Sequence, residues 1–336
     1  MRYYKIVIKS ASGSVVTPPG FEGLLGDATY TSFANNQTLP GAWQVELDVP
    51  VAPFAAPAGS AWVRVWGVSL AEISQANDLN GLAIQVYAGM QKGLPLANPA
   101  QAGLIVQGIV FQAYGNWVGL DQTLDLQITT GIPSQKALST GEGVNPGSLV
   151  LNWKAGSQMS SAIQSALQTV FPGLKINVNI SPNLVQSVDG IGFYSTLGQL
   201  ADYVKAASSS ILGGSYRGVD ISINGDTINV SDGTATSNSD PIQLNFQDLV
   251  GQPTWIGPQT MQFRTVMRAD LQIDKQILMP KGGVLVATTP QTFSSLRQSS
   301  GFQGKFQIQS LHHVGNFRQP DAAAWVTNVD AFPVTQ

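Results

Sequence analysis

The two histidines of the chain are adjacent, His312 and His313. Histidine is the side chain most often used near neutral pH for acid–base catalysis and metal ligation. Neighbouring side chains of a β-strand point to opposite faces, so these two cannot bind one ion together. A serine hydrolase of the elbow type would need a Gly-x-Ser-x-Gly motif, and the chain has none. We therefore expect structural roles for both histidines and predict no catalytic residue, no metal site and no cofactor.

Asp121 and Asp125 are the one carboxylate pair with a suggestive spacing. They lie four residues apart in an alternating segment, so they share a face of a predicted strand. Glycosidases use two carboxylates that face a sugar across a cleft, although a solvated face or a turn is the simpler role. Tryptophans could stack on sugars, but core packing is expected for four that lie among alternating apolar residues: Trp43, Trp62, Trp66 and Trp117. A secreted glycan-binding or glycan-cleaving β protein is therefore kept as the alternative hypothesis.

Composition favours an assembly protein over an enzyme. The 336 residues exceed one typical core, so two or three domains are expected. Only 11% of the residues are charged, less than half of the usual proportion of about 25%. A surface rich in Asn, Gln, Ser, Thr and Gly can form hydrogen bonds across subunit contacts without desolvating many ions.

Charge and cysteine content exclude further classes of site. The formal net charge is −3 and no Lys/Arg run is present, which argues against nucleic-acid binding through a basic patch. The absence of cysteine excludes disulfides and thiolate metal sites. The first nine residues alternate like a strand, and no apolar stretch approaches about 20 residues, so we expect no signal peptide, no membrane span and assembly in the cytoplasm.

The pattern of the first 130 residues is all-β. Short alternating runs bounded by Gly, Pro or Asn predict strands at 3–9, 43–49, 61–68, 82–88, 104–112 and 122–129. Residues 70–76 fit a helical turn. Tyr114-Gly-Asn-Trp117 is typical of a tight turn, because Gly and Asn tolerate positive φ. Many short strands at this spacing favour a barrel or a sandwich.

The hydrophobic period changes after a Gly/Ser/Pro-rich link. A helix is predicted behind the possible cap Ser157, and a second behind Thr196, where Gln199 completes a capping box. Gly213 should end the second helix. Strands are predicted at 174–180, 219–223 and 227–230, the last two joined by an Asn-Gly turn. This region predicts a small α+β domain.

The chain then returns to β after a polar linker. Strands are predicted at 242–246, 260–266, 276–279, 284–287, 305–314 and 322–329. We predict three domains: an N-terminal β-barrel over 1–130, an α+β domain over 131–235 and a C-terminal β-barrel over 236–336. The expected fold class is mainly β with an α+β insert.

Motifs in the last domain carry a family resemblance. Leu249-Val-Gly-Gln-Pro-Thr-Trp255 is followed by Thr265-Val-Met-Arg-Ala-Asp-Leu271, and later by a segment that contains His313, Gly315, Arg318 and Trp325. This order resembles the central baseplate hub proteins of contractile-tail, Mu-like phages. The segment 103–128 resembles the equivalent part of their first barrel.

The resemblance implies a fold and an assembly. It implies two tube-type β-barrel domains flanking a small α+β domain, and a homotrimer whose six barrels form a pseudo-hexameric ring. Such a ring adapts the six-fold tail tube to the three-fold central spike, in a virion tail baseplate. The implied partners are the spike, the tail tube or a tube-initiator protein, the tape-measure protein and baseplate wedge proteins. DNA would pass through the lumen without specific binding.

The same resemblance points to interface residues. Arg268 and Asp270 would fix either the bend between strands or a neighbouring subunit, the simpler alternative being a surface salt bridge worth about 0–1 kcal/mol. Trp255 and Arg318, which stand in the resembling motifs, complete the predicted set of interface residues.

Overall fold

The structure is a computed structural model. It describes residues 1–56, 60–91, 101–131, 148–214, 216–225, 227–233, 240–257, 259–280, 302 and 304–334. The predicted strand 284–287 lies outside the described residues, as do most of the two predicted links.

The N-terminal region is β, as predicted. Its strands are β1 (Arg2–Lys9), β2 (Tyr30–Thr31), β3 (Phe33–Ala34), β4 (Gln37–Thr38), β5 (Gln44–Val51), β6 (Ala61–Trp66), β7 (Ala83–Met90), β8 (Gly103–Val118) and β9 (Asp121–Thr130). Helix α1 (Leu70–Ser74) is followed by a 3-10 turn, Ala76–Leu79. A capping box between Ser69 and Glu72 starts this helix.

The predicted turn at Tyr114–Trp117 is wrong, because β8 continues through it to Val118. The chain reverses at Gly119, whose φ of 63° is available to glycine at no steric cost. Gly115 is needed for another reason. Ile73 of α1 packs so closely that a Cβ on Gly115 would meet it at 2.7 Å. Glycine here marks a close approach of helix to strand and not a turn.

The middle region is α+β. Its elements are β10 (Leu149–Trp153), α2 (Met159–Val170), β11 (Lys175–Asn179), β12 (Gly190–Tyr194), α3 (Leu197–Leu212), β13 (Asp220–Asn224) and β14 (Thr227–Ser231). Strands β10 and β12 pair antiparallel, while β14 pairs with β11 in parallel and with β13 antiparallel. Strands β10 and β12 were not predicted from the sequence.

The helix boundaries test the predicted caps. Thr196 accepts a hydrogen bond from the Gln199 amide, and α3 ends at Gly213, as predicted. The predicted capping box is only half formed, because Gln199 Oε1 accepts from the Ser195 amide at 2.9 Å and not from the Thr196 amide. The predicted cap Ser157 is wrong: Gln158 precedes α2 without a side-chain cap bond, while the Ser157 hydroxyl donates to the Lys154 carbonyl. That bond closes the preceding turn and removes the hydroxyl from the helix start.

The C-terminal region is again β. Its strands are β15 (Ile242–Gln243), β16 (Thr254–Gly257), β17 (Thr260–Val266), β18 (Gln276–Met279), β19 (Gly304–Asn316) and β20 (Trp325–Pro333). The predicted strand 242–246 is too long at its end, because β15 stops at Gln243 and the 3-10 turn Phe246–Asp248 follows. The predicted strand 322–329 begins too early, because Ala322–Ala324 form a 3-10 turn before β20. The mainly-β class with an α+β insert is confirmed.

The two β regions share one curled sheet. Its described order is β16-β17-β20-β19-β5-β6-β9-β8-β7-β1-β2, with β18 on β19 and β15 on β18. Strands β5 and β19 join the two regions, with His313 opposite Val49 and Leu311 opposite Val51. Main-chain hydrogen bonds therefore hold the two β units together.

The described residues form three hydrophobic cores. The first is bounded by β1, β5, β6, β7, β8 and β9, the second lies between the helices and small sheets of the middle region, and the third belongs to the C-terminal strands. Three C-terminal residues join the first core: Met267, Ala269 and Trp325. The two β units are thus interlocked by packing as well as by strand pairing.

Candidate functional site

The segment 267–271 passes from one β core to the other. Met267 and Ala269 are buried in the first core, whereas Leu271 is buried in the third. The two residues between them, Arg268 and Asp270, are polar. We call this segment, together with Gln101 and Asp248, the seam.

Arg268 is the centre of the seam, with a side chain that is 4% exposed. Its Nε and Nη2 donate to the two oxygens of Asp270 at 2.9 and 2.6 Å, and its Nη1 donates to Asp248 Oδ2 at 3.1 Å. A bidentate pair of this kind fixes the orientation of the guanidinium as well as its position. The pair is therefore buried, and the alternative of a surface salt bridge is wrong.

Asp248 connects the seam to both β units. It ends the 3-10 turn Phe246–Asp248, and the residue before this turn, Asn245, donates its amide to Asp248 Oδ2 at 3.0 Å. The other oxygen accepts from Gln101 Nε2 at 3.1 Å, and the Gln101 carbonyl accepts from the Ala269 amide at 2.9 Å. A change at Arg268 would therefore reach residues of both β units.

The electrostatics of the seam keep Arg268 charged. Burial by itself lowers the pKa of the Arg268 guanidinium, but the bonds to Asp270 and then Asp248 outweigh it and leave that pKa above its ordinary value. Removing one partner from a buried pair costs about 3–5 kcal/mol, because a buried charge is left uncompensated. The seam is a structural lock between the β units.

A second set of contacts ties the loop after β19 to the N-terminal region. Arg2 donates to the carbonyls of Asn316 and Phe317 at 2.8 and 3.2 Å, and also to those of Gln319 and Asp321. Arg318 is exposed, yet its amide donates to Gln44 Oε1 at 2.9 Å and its guanidinium donates to the carbonyls of Pro40 and Ala42. The loop is thereby held from both sides.

Trp255 lies on β16, the last strand of the described sheet path. Its ring stacks on Phe302 with centroids 5.7 Å apart and lies 6.2 Å from Phe306. The indole is half-buried against the third core. The four predicted interface residues therefore fall into three places: Arg268 and Asp270 in the seam, Trp255 on β16, and Arg318 in the loop after β19.

The outward face of β6 carries a row that the sequence analysis placed in the core. Ala61, Val63 and Val65 are buried, so the alternating side chains point outward: Trp62, Arg64 and Trp66. The expectation of core packing is wrong for Trp62 and Trp66, because both point away from the buried face of β6. It is also wrong for Trp117, which is 62% exposed. It is correct for Trp43, which packs against the first core.

The Asp121 and Asp125 pair does not form a free catalytic pair. Asp125 Oδ1 accepts from Arg64 Nε at 2.5 Å and Oδ2 accepts from Asn116 Nδ2 at 2.7 Å, so both oxygens are engaged. Asp121 lies at the first position of β9 and is exposed. The Arg64 guanidinium also lies 5.9 and 5.7 Å from the rings of Trp62 and Trp66.

The histidines point to opposite faces, as predicted. His312 Nε2 lies 2.8 Å from Asp48 on the outer face, whereas His313 is buried and its Nδ1 lies 2.9 Å from Thr327 Oγ1. Burial, with a smaller contribution from His312, lowers the pKa of His313 to about 3, so this imidazole is neutral. Across the described ranges, no group of three or more His, Asp or Glu side chains could hold a metal ion.

The sequence analysis missed Gln101, Asp248 and Arg2. Asn245 and Asp248 have the spacing of a capping box, which could have drawn attention to Asp248. Gln101 and Arg2 carry no local signal, because their partners lie 147 and more than 300 residues away.

Comparisons with known proteins give structural likenesses only. No protein-family model and no curated protein matches the chain. One similar solved structure is the tail protein from Neisseria meningitidis MC58, at 10% identity and TM-score 0.48, with 98% of this chain and 96% of that chain covered.

Two further likenesses have similar values. The 43 kDa tail protein of prophage MuSo2 from Shewanella oneidensis has 8% identity and TM-score 0.47, covering 99% of this chain and 98% of that chain. The half-lidded Francisella PdpA–VgrG complex has 9% identity and TM-score 0.48, covering 99% of this chain and 58% of that chain. Two of the three are called tail proteins. All three TM-scores lie below 0.5.

Within the described residues, no helix is both long and apolar enough to cross a membrane.

Proposed function

We propose that this chain is a structural hub of a phage tail baseplate, which forms a homotrimeric, pseudo-hexameric ring between the six-fold tail tube and the three-fold central spike. The observation that carries the proposal is the joined pair of β units. One sheet runs through both, and each unit has its own core. Three copies would present six β units, which is the number that a match to a six-fold tube requires.

The seam supports this role physically. A symmetry adaptor must hold its two β units at a fixed angle, since a ring closes only if each rotation is correct. The β5–β19 pairing, the Arg268 cluster and the Arg2 contacts all fix that angle. Arg268 and Asp270 would then act on the interface indirectly, by holding the shape of the subunit.

Trp255 and Arg318 are the proposed contacts with neighbouring subunits. Strand β16 is the last strand of the described sheet path, and an open sheet edge can pair with a strand of another chain. Arg318 is exposed beside the held loop after β19. The further partners in this proposal are the spike, the tail tube or its initiator, the tape-measure protein and the wedge proteins, in the virion tail.

The lumen would be lined by the outward face of β5 and β6. That face carries Glu46, Asp48 and the ion pair of Arg64 with Asp125. DNA could slide along such a face, because excess Lys or Arg would instead bind phosphates by counterion release.

The test is the mass and shape of the assembled protein. Light scattering coupled to size-exclusion chromatography should give a trimer, alone or with the co-expressed spike. Negative-stain images should show a ring with six similar lobes. A monomer under both conditions, or a tail whose tip lacks this protein, would contradict the proposal. Trp255→Ala should weaken the trimer, with Trp43→Ala in the first core as the matched control.

The outward row of Trp62 and Trp66 favours one other function, a glycan-binding surface. Two indoles on one face of a sheet, with Arg64 between them, could stack against sugars. A glycan array tests this alternative, and binding that is lost in Trp62→Ala would support it. Cleavage is not supported, because both oxygens of Asp125 are engaged.

A further inference from the structure

A cavity of about 330 Å³ lies where the three regions of the chain meet. The N-terminal β unit contributes Val51 and Phe54, the middle region contributes Ile223, and the C-terminal β unit contributes Leu271 and Leu311. This volume is at the lower end of the range for small-molecule sites, about 300–1,000 Å³. Its walls are mainly apolar.

None of the described residues that line the cavity is Asp, Glu, Lys or Arg. A charged guest would lose its hydration without gaining a counter-ion, which is strongly unfavourable. Two of the three lining amides are already engaged, because Gln107 donates to the Gly225 carbonyl and Asn224 donates to the Ile273 carbonyl at 3.3 Å. The third is Gln272. The cavity therefore suits an uncharged molecule.

The buried polar side chain among the described lining residues, His313, has unused hydrogen-bonding capacity. His313 is 2% exposed, and it lies two residues from Leu311 on β19, so both point to the cavity side of the strand. Its Nδ1 is paired with Thr327 Oγ1 at 2.9 Å. Its Nε2 has no hydrogen-bond partner among the described residues.

The tautomer of His313 follows from its neighbour. Thr327 Oγ1 accepts the Arg268 amide at 3.1 Å, and its hydroxyl hydrogen needs an acceptor because Thr327 is fully buried. The acceptor is His313 Nδ1, so the proton of the neutral imidazole is on Nε2. The low pKa of His313, about 3, agrees with a neutral ring. The imidazole thus offers one N–H donor to the cavity.

We propose that this cavity is a binding site for a small, uncharged, largely apolar molecule that carries one hydrogen-bond acceptor, which His313 Nε2–H would bind. The site is separate from the proposed hub function and does not depend on it.

The test uses two probes that differ in the acceptor. Acetophenone has a ring and a carbonyl, while ethylbenzene has a similar shape without the oxygen. By NMR titration of the full chain, acetophenone should bind about two- to ten-fold more tightly, the value of one hydrogen bond. In His313→Leu the two affinities should become about equal.

Two further variants locate the site. Ala56 lines the cavity and is partly exposed, so Ala56→Trp should fill it and abolish binding of both probes. Ala71→Trp, on the exposed side of α1, should leave binding unchanged. If His313→Leu does not fold, the Nε2 resonance of His313 in the wild-type chain should still shift with acetophenone and not with ethylbenzene. Absence of saturable binding, equal affinity of the two probes for the wild-type chain, or an unmoved Nε2 resonance would overturn the proposal.

Discussion

Two arginine–carboxylate sites on the same sheet differ in what surrounds them. The Arg268 side chain is 4% exposed and pairs with two aspartates, whereas the Arg64 side chain is 37% exposed and, among the described residues, pairs with Asp125 alone. Arg268 is closed to solvent, so its ion pairs can only stabilise the contact between the two β units. Arg64 lies between two outward indoles and can meet another molecule. The same pair of residue types thus forms a lock at one place and a surface at the other.

The largest expected effect is at the lock. Arg268→Ala should lower the free energy of unfolding by about 3–5 kcal/mol, because it leaves Asp248 and Asp270 buried without a cation. Urea denaturation followed by circular dichroism measures this, with Arg64→Ala as the matched control. A loss no larger than that of the control would show that burial does not separate the two sites.

Asp274 provides a third site for the comparison, because no cation among the described residues is paired with its carboxylate. Asp274 accepts from the Ser222 hydroxyl at 3.3 Å, between the middle region and β19. Burial, helped by the charge of Asp220, which is itself paired with Lys205, outweighs the hydroxyl and amide bonds and raises the pKa of Asp274 to about 6. Protonation therefore favours the folded chain.

The sign of the pH dependence follows from that shift. The contribution of Asp274 to stability is full below its ordinary pKa of 3.8 and is lost as the pH rises through about 6. Asp274→Asn should therefore be more stable than wild type by about 1–3 kcal/mol near pH 8 and about equal near pH 4. Urea denaturation at both pH values tests this. A variant that is less stable at the higher pH would mean that the ionised carboxylate is favourable there.

The alternation of apolar and polar residues predicted many strands, and it failed where contacts distant in sequence determine the structure. Alternation gave β17 and β18 with their observed bounds. It failed at Gly115, where Ile73 of α1 and not the local chain decides that the strand continues. Strands β10 and β12 were missed because apolar residues, namely Val150, Ile191 and Phe193, occupy outward positions, so neither strand shows a regular alternation of apolar and polar residues.

The candidate site divides in the same way. The bond between Arg268 and Asp270 spans two residues and could be anticipated, whereas the contacts with Asp248 and Gln101 depend on how the sheet curls. The outward direction of Trp62 and Trp66 could have been predicted, because Arg64 shares their parity and a charged side chain rarely points into a β core. The apolar residues around these tryptophans had instead suggested that the indoles pack in the core.

A smaller effect is expected at Arg64. Its removal leaves Asp125 with the Asn116 amide, so Arg64→Ala should cost about 1 kcal/mol, the value of one hydrogen bond. A double-mutant cycle with Asp125→Asn isolates the pair, and the coupling should be on the order of 1 kcal/mol. A coupling as large as the Arg268 effect would mean that the open side of Arg64 does not weaken its ion pair.

The smallest expected effect is on DNA. The outward face of β5 and β6 carries Glu46, Asp48 and Arg64, and the Arg64 guanidinium is already paired with Asp125. Neutralising phosphates requires free cations, so the wild-type chain should show no measurable affinity for duplex DNA at physiological salt in a mobility-shift assay.

If this face lines a channel that admits DNA, Glu46→Lys with Asp48→Lys should create binding that weakens steeply as salt rises, because each added lysine can release counterions. The same two substitutions on a face closed to DNA would leave the mobility unchanged. Tight, salt-sensitive binding by the wild-type chain would instead place free cations on a surface that DNA can reach, and would contradict a non-binding lumen.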